Sequence, residues 1–329
     1  MNDLKDFLKP KIVVSKCIEY DSCRYNGQMI SSDFVEKLKS FVEFVPVCPE
    51  FEIGLGVPRD PIRIVSFSGD LKLIQPKTEK DVTKQMIDFS NSFLDSLIDI
   101  DGFILKSKSP SCGIKDVKRY SGSGQPPKES KGPGFFGKVV LDRYPNLAIE
   151  DEGRLTNSRI KQHFLTKIYA LRSFREVKKS MSKKDLVEYQ SYNKLLFSAY
   201  SQKETKELGR IVANMDKASL ENIFQNYEKH LYALFSKPPK CSPNINTLSH
   251  GFGYISKNLN KKEKEFFLEI IDKYRKGNVS LSVPTNILKS WILRFDEKYL
   301  ENQSFFEPYP DGLLSVEDIN ACEVRDYWE

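Results

Sequence analysis

Two kinds of apolar spacing divide this chain. In the first 150 residues, short apolar runs alternate with helical stretches. KIVVSKC (residues 11–17) is β-branched and reads as a strand ending at a cysteine. DFVEKLKSFVE (33–43) puts Phe34, Val35, Leu38, Phe41 and Val42 on one helical face, with Ser32 or Asp33 as its cap. EFVPVCPE (43–50) is a second strand that also ends at a cysteine, and its proline favours a sheet edge. PIRIVSFSGDLKLIQP (61–76) reads as a hairpin turning at Ser68, Gly69 and Asp70. A long helix over 79–100 follows, with Val82, Met86, Phe89, Phe93 and Leu97 at helical spacing. Then GFILKS (102–107) forms a strand that runs into the loop SPSCG. RYSGSGQPPKESKGPG (119–134) has the composition of a mobile loop or lid.

From residue 157 onward the pattern changes. Seven segments between 160 and 300 carry apolar residues every three or four positions, the mark of an all-α domain. The tail after residue 304 is irregular and aromatic, and no repeat of fixed period occurs.

Strands alternating with helices predict a parallel-type sheet, and such sheets hold their ligands outside the carboxyl ends of the strands. Cys17, Cys48 and Cys112 each follow the end of a predicted strand, although 31 and 64 residues separate them. The composition makes that placement chemically pointed. With 40% hydrophobic and 29% charged residues the chain is globular. It has no apolar run of eighteen residues and no secretion signal at its start, so a cytoplasmic protein with reduced thiols is expected and no membrane contact. Six cysteines are too few for a disulfide framework in 329 residues. The absence of CxxC argues against a zinc ribbon, and the absence of CxxxCxxC against the radical enzymes that cleave adenosylmethionine.

Three thiols leave two readings open: a zinc site, or an iron–sulfur cluster with one iron unligated by protein. Cys23, six residues after Cys17, is a spare ligand; Cys241 and Cys322 read as isolated thiols. Glu50 lies two residues after Cys48, and Ser109 and Ser111 flank Pro110 just before Cys112. A carboxylate and a hydroxyl beside an open metal site can handle water and protons. Positions 1–150 hold 22 basic and 21 acidic residues, and the remainder 29 and 24, so the basic excess sits in the second half. That bias suits a polyanionic partner such as RNA. No glycine-rich loop has the spacing of an ATP phosphate cradle.

KIVVSKCIEYDSCRYNG, VPVCPEFEIGLGVPRDP and DGFILKSKSPSCGI resemble the three blocks of the thiouracil desulfurase (TudS-like) family. Residues 157–315 resemble the YbgA-like domain through KELGRIVA, HGFGYISKNL and EKEFFLEIIDKYRKGNVSLSVPTNILKSW. The pairing of both in one chain resembles the two-domain desulfidases that act on 4-thiouridine in tRNA. The resemblance implies an α/β, Rossmann-like domain over residues 1–150 and an all-α helical domain over 151–329. It implies a [4Fe–4S] cluster on Cys17, Cys48 and Cys112, with the fourth iron open to the substrate's sulfur. It implies Glu50 and Ser109 as catalytic groups, with hydrogen sulfide as product. Arg24, Tyr25 and Ser111 are then candidates for contacting the substrate. Arg210, His250, Tyr254 and Lys257 are candidates for gripping tRNA; DNA is not an expected partner. The alternatives are a desulfurase of free 2-thiouracil and an iron–sulfur protein that delivers sulfur in thiolation. The chain departs from the family's usual CLLG by carrying Cys17-Ile18-Glu19-Tyr20, which is expected to change the charge of the pocket or its substrate preference.

Overall fold

The computed structural model describes residues 7–67, 69–121 and 127–313. The chain divides into two compact units, Lys9–Asn157 on one side and, among the described residues, 7–8 with 158–313 on the other.

The first unit runs β1 (Lys11–Ser15), α1 (Asp33–Leu38), β2 (Glu43–Val47), the single turn α2 (Pro49–Glu52), β3 (Arg63–Phe67), β4 (Asp70–Gln75), β5 (Lys80–Asp81), α3 (Thr83–Asp95), β6 (Gly102–Leu105), β7 (Val117–Ser121), β8 (Pro127–Gly132), α4 (Phe135–Arg143) and β9 (Ala148–Asp151). Its main sheet is fully parallel, in the order β2-β1-β6-β9. β1 and β6 occupy the centre and are apolar at every inner position, as strands covered on both faces must be. Val13 pairs with Phe103, and with Leu105 they pack in one core with Met86 and Leu94 of α3 and Phe136 and Val140 of α4. β2, with Pro46, takes the edge. The strand order reverses between β1 and β6, and a sheet of this kind opens a crevice at the carboxyl ends beside that reversal.

β9 pairs with β6, so the first unit extends beyond residue 150, to Asn157. The stretch 119–134, expected as a loop, is in large part sheet. β7 pairs parallel with β3 and antiparallel with β8, within a five-stranded sheet ordered β5-β4-β3-β7-β8. The polar residues of β7 hide this pairing from any hydrophobic count. Backbone hydrogen bonds make it, and the Arg63 guanidinium lies 4.9 Å from the centre of the Tyr120 ring across it. Residues 122–126, the heart of the proposed lid, and Ser68 of the expected turn lie outside the described residues.

The second unit is helical: α5 (Ser158–Ser180), α6 (Lys183–Tyr200), α7 (Gln202–Ala213), α8 (Leu220–Leu234), α9 (Cys241–Ile255), α10 (Lys261–Arg275), α11 (Ser282–Phe295) and α12 (Lys298–Glu301). Ser182, Ser201 and Ser219 cap the N-termini of α6, α7 and α8, and Asn260 with Glu263 forms a capping box on α10. The helix expected over 284–300 breaks at Asp296, whose φ of 52° ends α11 in a left-handed turn. Leu248, Phe267, Ile271, Trp291 and Ile292 lie in its core. Among the described residues no helix is long and apolar enough to cross a membrane.

Candidate active site

The three strand ends converge as the alternation predicts. β1 leads to Cys17, β2 to Cys48 and β6 to the loop of Cys112, and all three thiols line one cavity of about 360 Å³. Cys23 lines it too. The Cys48 thiol donates to the Cys23 carbonyl (3.7 Å), and four buried thiols, not three, share the crevice.

Each thiol is positioned by a local device. Cys48 is the N-cap of α2, with Pro49 at the first helical position, where its fixed φ suits a helix start. That turn carries Glu50 back to the cavity wall beside Cys48. The loop after Cys17 folds back through Ile30 N–H to Cys17 C=O (2.8 Å). Glu19, in the left-handed region at φ 63°, accepts the Ser32 N–H on its carboxylate. Glu19 thus serves the loop and does not line the cavity, so the departure from CLLG leaves the cavity lining without this carboxylate.

The Cys112 loop rests on the start of α4. Phe135 N–H donates to Pro110 C=O (3.0 Å) and Gly137 N–H to Ser111 C=O (2.9 Å). A Cβ at Gly137 would stand 2.3 Å from the Gly113 carbonyl oxygen and 2.9 Å from that of Cys112. Glycine in a helix interior normally costs about 1 kcal/mol relative to alanine. Here the sign inverts: Gly137→Ala is expected to destabilise the protein by about 1–3 kcal/mol, because the loop must be pushed away. Urea unfolding of the variant measures this; a neutral or stabilising result would show that the loop does not need the close approach.

Polar groups join the thiols. The Ser111 hydroxyl donates to Glu50 Oε1 (2.7 Å) and lies 3.7 Å from Cys112 Sγ. Ser109 Oγ is 2.9 Å from Ser111 Oγ and accepts the backbone N–H of Cys112 (3.1 Å) and of Ser111 (3.3 Å). The hydroxyl touching Glu50 is therefore that of Ser111, with Ser109 one step behind it. The other carboxylate oxygen, Oε2, receives Arg59 Nε (2.9 Å) and Nη2 (2.7 Å), while Nη1 donates to the carbonyls of Cys23 and Gly56 (2.9 Å each). The Arg59 and Glu50 side chains are only 4% and 12% exposed, so this is a buried ion pair. Sequence reasoning missed Arg59. The signal available was its place in GLGVPRD, at the end of the second block that carries the desulfurase resemblance, to which no role for the arginine was attached.

Burial pushes the Cys112 thiol up to about 12, against hydrogen bonds from Ser15 and Ser111. Cys48 is raised further, first by its hydrogen bond with Cys23 and then by burial; the bond to Cys17 leads in raising Cys23 to about 11. Without metal, the Cys23, Cys48 and Cys112 thiols are thus neutral, and ligation of a cationic centre would release the proton of any that bind it. Among the described residues no three Cys, His, Asp or Glu side chains converge as ligands of one metal ion. A single zinc draws its sulfurs to about 2.3 Å. A cluster carries each thiolate on a different iron and so accepts thiols spread around a cavity. An all-sulfur donor set spread in this way suits a cluster better than a lone ion.

At the cavity wall, Arg24 lies 5.8 Å from the centre of the Tyr25 ring, and Tyr25 is 44% exposed. Lys108 also lines the cavity and has no ion-pair partner among the described residues. In the helical unit, His250 and Tyr254 share the exposed face of α9 and Lys257 follows in the next turn. Tyr254 stacks on Tyr299 at 5.1 Å and stays 43% exposed, so neither it nor His250 is a core residue. Arg210 sits apart on α7, exposed and paired with Glu207. Cys241 stands alone among the described residues of its unit, and Cys322 lies outside them.

Fold and site together define an α/β domain with a thiol-lined crevice and a buried carboxylate, joined to a helical domain. Residues 12–152 match the family model of 2-thiouracil desulfurases, and residues 194–310 match a family described as a protein of unknown function (DUF1722). The chain thus carries a 2-thiouracil desulfurase domain followed by a DUF1722, YbgA-like domain. It is similar to the uncharacterized protein YbgA of Escherichia coli K12, with 29% identity across 46% of this chain and 91% of that protein. It is also similar to the uncharacterized protein YbbK of Bacillus subtilis 168, with 31% identity across 43% of this chain and 96% of that protein. A solved structure described as the [4Fe-4S]-dependent thiouracil desulfidase TudS aligns with 45% of this chain and 94% of its own, at 25% identity and a TM-score of 0.34.

Proposed function

We propose that this protein removes sulfur from a thiolated uracil, with 4-thiouridine in tRNA as its substrate, by hydrolysis without net redox change. The observation that carries the reading is the joining of Glu50, Ser111 and the Cys112 thiol in one cavity within a 2-thiouracil desulfurase domain. Cys17, Cys48 and Cys112 would hold a [4Fe–4S] cluster, and when bound it supplies an open, Lewis-acidic iron that favours soft sulfur over oxygen. The remaining chemistry belongs to side chains. Glu50 takes a proton from water, and the water oxygen attacks the carbon bearing sulfur. The C–S bond breaks, the C=O bond forms, and sulfur leaves as hydrogen sulfide with the two protons of water. Ser111, already donating to Glu50 Oε1, can turn its hydroxyl towards Cys112 and so hand protons across the site. Arg59 fixes the carboxylate from the far side.

Arg24 and Lys108 on the cavity lining favour a base that carries phosphates over a free base. The exposed His250, Tyr254 and Lys257 offer cationic and stacking contacts for an RNA strand. Binding of tRNA is then expected to weaken steeply with salt.

The test is anaerobic reconstitution with iron and sulfide, then incubation with tRNA containing 4-thiouridine and with free 2-thiouracil. Loss of the thiouridine absorbance and release of sulfide are read, with Cys112→Ala as control. Activity on tRNA that Cys112→Ala abolishes is the expected outcome. Activity on the free base alone would make the protein a base scavenger. A fully loaded protein that desulfurises neither substrate would end the reading and bring sulfur delivery forward.

A further inference from the structure

The helical unit encloses a second cavity, of about 180 Å³, that the proposed reaction does not use. Its wall is built from the first half of α5, the end of α6, the beginnings of α9 and α11, Tyr274 of α10, and the chain around Phe305 and Tyr309. An apolar cavity of about 150 Å³ holds one benzene ring, so this space suits a single-ring molecule and not a peptide or a polynucleotide strand.

The deep part of the lining is polar but uncharged. His163 is buried, and burial first, then the charges of Lys167 and Arg159, push its imidazole down to about 3. The ring is therefore neutral at physiological pH and pairs through Nδ1 with the Tyr200 hydroxyl at 3.1 Å. Asn244 is only 5% exposed, and its amide nitrogen donates to the Tyr274 hydroxyl (3.1 Å). Among the described residues no donor reaches the Asn244 carbonyl oxygen. The side-chain amide of Gln162, half-buried on the wall, makes no hydrogen bond among the described residues. Two carboxamides thus keep unused capacity in one small cavity, and each offers both a donor and an acceptor. Tyr200, Phe305 and Tyr309 supply aromatic surface. The charged groups, Arg159, Lys289, Glu307 and Asp311, are of both signs and lie at partly or fully exposed positions.

These features select the ligand by exclusion. An ammonium in the deep part would face the charges of Lys167 and Arg159, with no buried carboxylate among the described lining residues, and would be costly to desolvate. An alkane-like ligand would leave the carboxamides unpaired. A neutral, flat ring with alternating donors and acceptors on its edge satisfies both the carboxamides and the aromatic walls. We propose that the helical unit binds one pyrimidine-type nucleobase in this cavity. The base arrives either as a free nucleoside or as a single base turned out of an RNA strand. This does not rest on the desulfidase reading, since none of its residues belongs to the thiol-lined cavity.

The test titrates the full chain with uracil, uridine and a short uridine-containing oligonucleotide by calorimetry, with phenylalanine and benzoate as charged single-ring controls. A 5-iodouridine photo-crosslink then maps the bound site by peptide mass. The expected result is saturable pyrimidine binding, crosslinks at Tyr200, Phe305 or Tyr309, and a weakening of about tenfold or more in Gln162→Ala. Ala199→Leu, which fills the space, is expected to do the same; should it not fold, Gln162→Ala, which breaks no hydrogen bond, carries the test. Binding of uridine itself identifies a nucleoside site, and binding of the oligonucleotide alone identifies a base-capture site; both support the proposal. Absence of saturable pyrimidine binding, crosslinks confined to the thiol-lined cavity, an unchanged affinity in Gln162→Ala, or tighter binding of either charged control would overturn it.

Discussion

Arg59→Ala is expected to lower the free energy of unfolding by about 3 kcal/mol and to cut desulfurisation sharply, although Arg59 is not expected to touch substrate. The magnitude follows from what remains behind. Both side chains are almost fully covered, so removing the guanidinium strands a largely buried carboxylate without its counter-charge. It also leaves the carbonyls of Cys23 and Gly56 without their donor. A double-mutant cycle separates these contributions. Arg59→Ala combined with Glu50→Gln carries no orphaned charge, and it is expected to be more stable than Arg59→Ala alone by about 1–2 kcal/mol. Arg59→Lys is not expected to rescue, because one ammonium cannot reproduce a fork that holds a carboxylate with two nitrogens and two carbonyls with a third. Denaturant unfolding and steady-state rates on the reconstituted protein check all three variants. An Arg59→Ala protein of unchanged stability and turnover would show that Glu50 needs no partner.

Much of this site can be read along the chain, and the reason is geometric. A parallel sheet places every strand's carboxyl end on one side, so Cys17, Cys48 and Cys112 are related by topology whatever their distance in sequence. Glu50 and Ser111 are legible because each lies within two residues of such a cysteine. Arg59 is not, since its approach to Glu50 depends on how the chain after α2 folds back over Cys23. Cys23 is half legible: it is near Cys17 in sequence, but nothing there shows that it lines the cavity and that its carbonyl accepts from the Cys48 thiol. β7 and β8 escape detection for another reason, being edge-region strands held by backbone pairing with few apolar side chains to announce them. In the helical unit the apolar periodicity finds the helices well. It cannot find the second cavity, which gathers positions from five helices and the chain after α12.

Ser111→Ala is expected to reduce kcat by about 10²–10⁴-fold, and Ser109→Ala by much less. A serine hydroxyl carries one proton. With the Ser111 proton on Glu50 Oε1, the contact between the two hydroxyls must be made by the proton of Ser109. The order of donation is then Ser109 to Ser111 to Glu50, and Ser111 is its obligatory middle. Removing Ser111 cuts the carboxylate off from both Ser109 and the Cys112 side. Removing Ser109 leaves the Ser111–Glu50 bond intact and instead deprives the backbone N–H groups of Cys112 and Ser111 of their acceptor. The main effect of Ser109→Ala should therefore be on the loop: about 1 kcal/mol of stability and a raised KM, with kcat largely kept. The two variants thus separate proton transfer from loop support, provided both retain their full complement of iron. Should Ser109→Ala lose kcat while Ser111→Ala keeps it, the hydroxyl that acts on substrate would be that of Ser109, and the bond between Ser111 and Glu50 would serve only to hold the carboxylate in place.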